Sequence, residues 1–370
     1  MQFNKSELEN FILNARKLGK VEISVSSPEF QSPTIGDIVE DFDKSLSTKA
    51  VLWSSEELRQ LIFQTQRYTS FDIDKNINVT NGNQEANLLS TMISIDPGDE
   101  VIVQVPNWPQ IPNLVSGFKA KFIPFDLSYE DNWAPDFERL KSLITPKTKL
   151  IAISYPNNPT GYVLNKSELK TYCEIAKDAK AKLLNDETYR MIELEGGPSP
   201  SACEFSEDAI TTGTVSKTFA AVGVRIGWII SRDETFIQKS KDLHFYTTMQ
   251  NNNLGEYFVT QMLRKWDEIV PKNLELCKRN LDITSRWMNE HREFLSWVKP
   301  RGTTVSFPKI NKPMTSTEFA EGLLKQQKTL TVPGITFGDS FDKHIRLSYC
   351  KDTDTVLEGL NRLSKYLKTS

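Results

Sequence analysis

Residues 214–228 read TVSKTFAAVGVRIGW and place one lysine, Lys217, among small and apolar side chains. Burial lowers the pKa of an ammonium group, and the neutral amine is a nucleophile toward carbonyl carbon. The hydroxyl groups of Thr214 and Ser216 and the guanidinium group of Arg225 lie nearby in sequence, and all three can bind phosphate. The stretch therefore predicts a reactive lysine beside an anion site. Two glycines, Gly223 and Gly227, are expected to permit close backbone approach.

Length and composition limit the classes of protein to consider. The chain has 370 residues, which is too long for one ordinary core and suggests two domains, or one large and one small. Of these residues 38% are hydrophobic and 25% charged, as is typical of soluble globular proteins. The net charge is -3 and no basic stripe is present, so nucleic acid is not an expected partner. The four cysteines form no CxxC motif and the three histidines lack zinc-site spacing, so no metal is expected.

The N-terminal segment predicts a helix rather than a targeting signal. Residues 1–20 carry charges throughout, and no stretch of the sequence approaches the ~18 apolar residues of a membrane span. A cytoplasmic protein without membrane contact is therefore expected. Ser6 and Glu9 have the spacing of a capping box before an amphipathic helix, which is expected to pack on the C-terminal part of the chain near the cleft between domains.

Strand and helix patterns alternate between residues 55 and 231. Helices between strands favour parallel pairing, and therefore a sheet with helices on both faces. After about residue 233, long helical patterns are followed by short strands, which predicts a second, smaller domain. The predicted strands of the first part are 101–105, 121–125, 149–154, 181–186, 209–215 and 225–231.

Residues that follow the strands are the ones to examine, because parallel sheets bind ligands beyond the carboxyl ends of their strands. In VTNGNQEA (79–86), the first amides of a helix, those of Asn83 and Gln84, suit a phosphate group. Trp108 follows a strand between two prolines, where a rigid turn can present its indole to a flat ring. A plain capped turn and an aromatic side chain packed under a loop are the alternatives for these two segments.

Two further strand ends carry polar residues. Asn158, in SYPNNPTGYVL, can direct its amide into the crevice. Asp186 ends the predicted strand AKLLND, where a buried carboxylate needs a partner such as a protonated pyridine nitrogen, and Tyr189 can donate to a phenolate oxygen. Pyridine partners, a phosphate site and a carbonyl-trapping lysine together meet the needs of one cofactor, pyridoxal 5'-phosphate (PLP).

These motifs resemble those of the class I/II aminotransferases, which are fold type I PLP-dependent enzymes. The family patterns N-P-T-G, D-E-x-Y and S-K-x-x-x-x-x-G-x-R-x-G and a late arginine occur here in order. The resemblance implies an α/β fold with a large domain built on a mostly parallel seven-stranded sheet and a smaller α+β domain. It places the large domain at residues 45–265 and the small domain at residues 1–44 and 266–370. It also implies a homodimer.

The resemblance implies a role for each motif residue. Lys217 corresponds to the lysine that bonds to the cofactor and moves the substrate proton, and Asp186 to the carboxylate that keeps the pyridine nitrogen protonated. Arg346, in HIRLSYC, corresponds to the arginine that binds the substrate α-carboxylate, although strand periodicity alone predicts an exposed charge there. The remaining correspondences are Asn158 and Tyr189 at the ring oxygen, Trp108 on the ring face, and Asn83, Gln84, Thr214, Ser216 and Arg225 at the phosphate.

Two segments depart from the family pattern. Family members commonly have a tyrosine that reaches the neighbouring subunit's phosphate, whereas STKAVLWSSEELR (47–59) has none. The short N-terminal helix followed by VEISVSSPEF (21–30) is similar to capreomycidine synthase and its relatives, which eliminate or cyclise at the side chain of guanidino amino acids. The candidates to line a substrate site there, with helix capping or loop structure as the alternative, are Glu9, Ser24, Ser26 and Ser27.

Three functions are therefore considered. The first is an aminotransferase, in which Lys217 moves the Cα proton of an amino acid and a keto acid is the second substrate. The second is a PLP-dependent cyclase or lyase of a guanidino amino acid such as a hydroxyarginine. The third is a non-catalytic binding protein on the same fold. Such a protein is expected to have lost the lysine, the aspartate or the arginine, whereas Lys217, Asp186 and Arg346 are all present here. The first is preferred because its resemblance covers most of the chain.

Overall fold

The computed structural model describes residues 5–39, 53–69 and 71–369. Within them the chain is an α/β protein with a large central sheet. The strands are β1 (Ile23–Ser24), β2 (Ile77–Thr80), β3 (Glu100–Val105), β4 (Lys121–Asp126), β5 (Thr148–Ser154), β6 (Lys182–Asp186), β7 (Ala209–Thr214), β8 (Gly227–Ile230), β9 (Leu295–Ser296), β10 (Val305–Ser306), β11 (Lys309–Ile310), β12 (Thr329–Leu330), β13 (Val332–Pro333) and β14 (Ile345–Ser348). The helices are α1 (Glu7–Leu18), α2 (Ile35–Ile38), α3 (Glu56–Thr65), α4 (Asn83–Ser94), α5 (Gln110–Gly117), α6 (Phe137–Ser142), α7 (Lys166–Asp178), α8 (Glu234–Thr247), α9 (Asn253–Arg264), α10 (Trp266–Glu290), α11 (Ser316–Gln327) and α12 (Thr353–Thr369).

The central sheet has seven strands in the order β2-β8-β7-β6-β5-β3-β4. All neighbours pair in parallel except β8, which is antiparallel to both β2 and β7. The predicted mostly parallel, seven-stranded sheet is thus confirmed. Strand β8 is the antiparallel exception because residues 215–226 connect it to β7 without an α-helix to carry the chain back across the sheet. The strand β2 was not among the predicted strands.

Alternate residues of each central strand face opposite layers of helices. In β3, Val101 and Val103 pack in one hydrophobic cluster with residues of α4, α5 and α8. Ile102, between them, packs in another cluster with residues of α7 such as Leu169 and Tyr172. This burial on both faces explains why the central strands consist of apolar runs rather than alternating patterns.

The C-terminal part has its own core. The strands β10, β14 and β13 form an antiparallel sheet, and α10, α11 and α12 surround a cluster that includes Trp287, Phe319 and Leu360. The N-terminal chain joins this part because β1 pairs in parallel with β12 and α1 packs against α11. The proposed domain limits stay a prediction, and the boundary at residues 44 and 45 lies outside the described residues.

The predicted N-terminal helix is confirmed as α1, and a capping box formed by Thr315 and Glu318 stands at the start of α11. At the N-terminus of α1, the Ser6 side chain accepts a hydrogen bond from the Glu9 amide at 3.1 Å. None of the helices in the described ranges is long and apolar enough to cross a membrane.

Candidate active site

The carboxyl ends of three adjacent strands bring the predicted site residues to one edge of the sheet. Ser154 at the end of β5 is in register with Asp186 at the end of β6, and Asp186 is in register with Thr212 near the end of β7. Asn158 and Lys217 follow β5 and β7 by a few residues. Parallel pairing therefore places residues that are far apart in sequence beside one another, as the sequence analysis predicted.

Lys217 is largely buried and forms an ion pair that the sequence analysis did not foresee. Its Nζ lies 2.9 Å from Oε1 of Glu29, and the two side chains are 16% and 29% exposed. Burial lowers the pKa of Lys217 below its usual range, the Glu29 carboxylate opposes this effect, and the Arg346 charge adds to it. The expected lowering of the pKa of Lys217 is thus confirmed, and its cause is desolvation.

Asp186 is held from two sides. The Asn87 side chain donates to Oδ2 at 2.8 Å, and the Thr188 amide donates to Oδ1 at 3.0 Å. Asn87 is in turn oriented by Thr212, whose hydroxyl group donates to its Oδ1 at 2.7 Å. The carboxylate therefore has a fixed orientation at the strand end.

Arg346 is buried, with 3% of its surface exposed, so the exposed charge that periodicity predicted is wrong. Its strand, β14, lies between β10 and β13, and the packing of these neighbours overrides the local pattern. Its guanidinium donates to Oδ1 of Asn158 at 3.2 Å and to the Ser26 carbonyl at 2.7 Å, while no described residue accepts from its Nε. The structure thus brings Asn158 and Arg346 together.

Tyr189 is the third polar side chain of this group. It is buried, and no described residue is a hydrogen-bond partner of its hydroxyl group. Burial raises the pKa of Tyr189, and the Arg346 charge opposes that shift. A buried phenol without a partner is costly, so this hydroxyl group is suited to a ligand that accepts its hydrogen bond.

The predicted phosphate site lies where the segment before α4 meets the segment before β8. Helix α4 begins at Asn83 after Gly82, whose φ of 91° is in the region that favours glycine and which offers no side-chain cap. A side chain at Gly82 would overlap the guanidinium of Arg225, and a Cβ at Gly227 would lie 2.6 Å from the Asn83 amide nitrogen. Both glycines thus allow close packing here. The expected close approach at Gly223 is wrong, because open space surrounds its Cβ position.

Polar groups of several residues converge near this point. Arg225 donates to the Val222 carbonyl at 3.0 Å, and no carboxylate within the described ranges pairs with it. The Thr214 hydroxyl group donates to the Ile226 carbonyl at 2.7 Å and lies 2.9 Å from the Ser216 hydroxyl oxygen. An uncapped helix start beside an unpaired guanidinium is chemically suited to phosphate.

The remaining predicted cofactor contacts are less enclosed. Trp108 lies between β3 and α5 and is half-buried against the cluster on the α7 side of the sheet. The Gln84 side chain is exposed to solvent, and the Gln84 backbone carbonyl accepts a hydrogen bond from the Gln110 side chain at 2.7 Å. The group that Gln84 can offer to a ligand at the start of α4 is therefore its backbone N–H.

The N-terminal candidates are divided by the fold. The Ser26 carbonyl, not its hydroxyl group, contacts Arg346, while the Ser24 and Ser26 hydroxyl oxygens lie 2.8 Å apart. Ser27 donates to Oε2 of Glu29 at 3.3 Å. Glu9 is exposed on α1, and no contact within the described ranges links its side chain to Lys217. In the segment that departs from the family, residues 47–52 lie outside the described residues.

The residues present fit PLP. Groups with unused hydrogen-bonding capacity, namely the Tyr189 hydroxyl group and Arg346 Nε, lie in the same site as a buried lysine and an oriented carboxylate. Sequence reasoning missed two members of the site, Asn87 and Glu29. Asn87 could have been found, because it lies one helical turn after Asn83 on α4. Glu29 has no such local signal.

The chain is similar to known proteins over most of its length. Residues 42–363 match the family described as aminotransferase class I and II. An aspartate aminotransferase of Pyrococcus horikoshii is 27% identical over 98% of this chain and 95% of its own length. A probable aspartate aminotransferase of Methanocaldococcus jannaschii is 30% identical over 94% of both. A PLP-dependent aminotransferase structure from Streptococcus suis superposes with a TM-score of 0.91 at 28% identity and covers 100% of this chain and 99% of that one.

Fold and site together define a fold type I PLP-dependent enzyme. The chain belongs to the aminotransferase class I and II family. It is therefore a PLP-dependent aminotransferase whose substrates are amino acids, and the preferred function of the sequence analysis is confirmed at this level.

Proposed function

We propose that this aminotransferase works through Lys217, whose Nζ would hold PLP covalently and, once the substrate amine has replaced it there, would take the proton from the substrate Cα and pass it to the cofactor, as transfer of the nitrogen requires. Bound PLP supplies a ring that withdraws electrons from that carbon. The burial that lowers the pKa of Lys217 supports this role, because it increases the fraction of neutral, nucleophilic amine at a given pH. This observation carries the proposal.

The neighbouring polar residues divide the remaining tasks. The Asp186 carboxylate, oriented by Asn87, holds the proton on the pyridine nitrogen, and the Tyr189 hydroxyl group donates to the ring oxygen together with the Asn158 amide. Trp108 covers one face of the ring. The phosphate is bound by the backbone amides of Asn83 and Gln84, by Arg225 and by the Ser216 hydroxyl group, and also by the Thr214 hydroxyl group if it turns away from the Ile226 carbonyl.

Arg346 binds the α-carboxylate of the substrate. Its fork of donors is already oriented by Asn158 and the Ser26 carbonyl, so little ordering is needed when a carboxylate binds. Its burial excludes water from the charge pair and strengthens it.

The chain is proposed to form a homodimer, as members of its family do, with the site near the interface. An exposed apolar patch supports this, since such patches mark interaction surfaces and the Tyr246 side chain is 84% exposed. Its members are Phe245, Tyr246, Met249 and Leu254. Sedimentation at micromolar concentration should give a dimer, and Tyr246→Glu should shift it toward monomer. Leu357→Glu, at an exposed position of α12, is the control. A wild-type monomer would contradict the proposal.

In the capreomycidine synthase-like alternative, the same proton removal at Cα has a different outcome. A substituent leaves the side chain, or a side-chain nitrogen closes a ring. The relatives compared above carry aminotransferase names, so transfer of nitrogen is the function we favour. A panel of amino acids that includes hydroxylated arginines separates the two. Transfer converts the cofactor to its amine form, whereas elimination or ring closure gives a product of lower mass without that conversion.

Borohydride fixation tests the central assignment. The purified protein is expected to be yellow, and reduction followed by peptide mapping should find the pyridoxyl adduct at Lys217. The Lys217→Ala variant should lack the colour, and Lys170→Ala, an exposed lysine of α7, should keep it. An adduct elsewhere, or an unchanged spectrum in Lys217→Ala, refutes the role of Lys217.

A further inference from the structure

The loop between β1 and α2 is firmly attached above the candidate active site. It contains Ser26 and Glu29, and its residue Phe30 is buried in a cluster with Tyr189 and Tyr349. Three hydrogen bonds join it to two other segments. In β14, the Ser348 amide donates to the Val25 carbonyl at 2.7 Å and Arg346 donates to the Ser26 carbonyl at 2.7 Å; just before β10, the Thr304 hydroxyl group donates to the Pro28 carbonyl at 2.8 Å. Glu29 is therefore held in place by the fold.

Glu29 places a negative charge at the reacting lysine. Its Oε1 contacts Lys217 Nζ at 2.9 Å, and its Oε2 accepts from Ser27. Burial opposes ionisation of Glu29, but the charges of Lys217 and Lys351 together hold its pKa below the usual value, so it is a carboxylate at neutral pH. Within the described ranges, Lys217 is the ion-pair partner of Glu29, and Lys351 makes no direct contact with it.

The proposed reaction takes this partner away. Lys217 cannot remain an ammonium ion on Glu29 while its Nζ is bonded to the cofactor, or while it is the neutral amine that is about to take up the Cα proton. A partly buried carboxylate that loses its ion-pair partner keeps only the longer-range attraction of Lys351 and Arg346, so a cation in direct contact with it is favoured. The substrate enters this same space, because Arg346, which is assigned to its α-carboxylate, contacts the same loop through Ser26.

We propose that Glu29 selects substrates whose side chain ends in an ammonium or guanidinium group. This inference rests on the function proposed above and names its substrate class. The substrate α-carboxylate binds Arg346 and the side-chain cation replaces Lys217 on Glu29. A side-chain carboxylate is disfavoured by the same charge, so the specificity differs from that named for the aspartate aminotransferases among the relatives.

A binding experiment tests this without turnover. Lys217→Met protein, in which no lysine ammonium group competes for Glu29, is titrated by calorimetry with 4-aminobutanoate, 5-aminopentanoate and 6-aminohexanoate, and with butanoate, pentanoate and hexanoate. At least one ω-amino acid should bind about tenfold more tightly than its matched acid, because it adds a charge-assisted hydrogen bond. When Glu29→Gln is added to this variant, the difference should fall below about threefold. Equal binding of the two series by the Lys217→Met protein overturns the proposal.

Steady-state kinetics separates substrate selection from an effect on Lys217 itself. For Glu29→Gln, kcat/KM for ornithine and lysine should fall at least about tenfold relative to norvaline and norleucine. Glu174→Gln, which removes an exposed charge from α7, should leave the ratio unchanged. An equal loss of kcat/KM for cationic and neutral substrates, or a wild-type preference for aspartate, overturns the proposed selection by Glu29 but leaves the proposed role of Lys217 intact. Failure to attach PLP at Lys217 overturns both proposals.

Discussion

The side-chain amide of Asn87 donates a 2.8 Å hydrogen bond to Oδ2 of Asp186 and accepts one from Thr212. Because the Thr212 hydroxyl group donates to the amide oxygen, the NH₂ group of Asn87 faces the carboxylate. Helix α4 and strands β6 and β7 are thereby joined at the point where the pyridine nitrogen is proposed to bind. The acid proposed to hold the proton of the pyridine nitrogen is therefore oriented by a residue outside the recognised motifs.

Asp186→Asn tests the charge at this point. The amide is nearly isosteric and should keep PLP bound, but it cannot hold the ring proton as a carboxylate does. Loss of a buried charge pair costs about 2 kcal/mol or more, so kcat should fall at least about thirtyfold. Steady-state transamination and the absorbance of bound cofactor measure the two effects. Asp178→Asn, at the exposed end of α7, is the control; turnover near wild type in Asp186→Asn would contradict the assignment.

Arg346→Lys keeps the positive charge and removes the fork. The fork orients two donors, and the replacement loses at least one charge-assisted hydrogen bond to the substrate carboxylate, a loss of about 1.5 kcal/mol or more. KM for the amino acid should therefore rise at least about tenfold, with a smaller change in kcat. Arg292→Lys, at an exposed position after α10, should show neither change. A KM that stays at the wild-type value argues against carboxylate binding at Arg346.

Two glycines of one motif give a matched pair. A Cβ at Gly227 would lie 2.6 Å from the Asn83 amide nitrogen, whereas nothing lies within 4 Å of the Cβ position at Gly223. Gly227→Ala should push the start of α4 away from β8, and overpacking of this kind costs about 1–3 kcal/mol. PLP affinity, measured by fluorescence titration, should fall at least about fivefold in Gly227→Ala and stay unchanged in Gly223→Ala. Thermal unfolding of both apoproteins shows whether a global loss of stability accounts for the difference, and equal affinity of the two variants refutes the role of Gly227.

The sequence predicted those parts of the site that depend on local order along the chain. Lys217, Asp186 and Asn158 follow strands, and parallel pairing alone brings strand ends together. Arg346 was recognised only through the family pattern, because its burial comes from neighbouring strands rather than from its own segment.

Glu29 could not be predicted from local sequence. It lies 188 positions from Lys217 in the chain, and its loop reaches the site because β1 pairs with β12 in the C-terminal part. The antiparallel direction of β8 was missed for a related reason, since it depends on a connection without an α-helix rather than on the composition of the strand.

The Lys217–Glu29 ion pair predicts how cofactor attachment depends on pH. The neutral amine attacks the aldehyde, so attachment should speed up with rising pH and level off above the pKa of Lys217. Because burial lowers this pKa, and Arg346 lowers it further, the levelling should occur below the value of 10.5 expected for an unperturbed lysine. Glu29 acts in the opposite direction by stabilising the ammonium form.

Glu29→Gln should therefore lower the pKa of Lys217 and move the midpoint of the pH profile downward, with faster attachment than wild type at neutral pH. Stopped-flow absorbance of apoprotein mixed with PLP gives the pH profile. The same measurement with Nα-acetyllysine in place of the protein corrects for the titration of PLP itself. Glu174→Gln, the control, removes one negative charge from an exposed position of α7 and should leave the midpoint of the pH profile unchanged. A midpoint that rises in Glu29→Gln would mean that the carboxylate does not stabilise the Lys217 ammonium in solution, and the ion pair would then not explain the chemistry of the lysine.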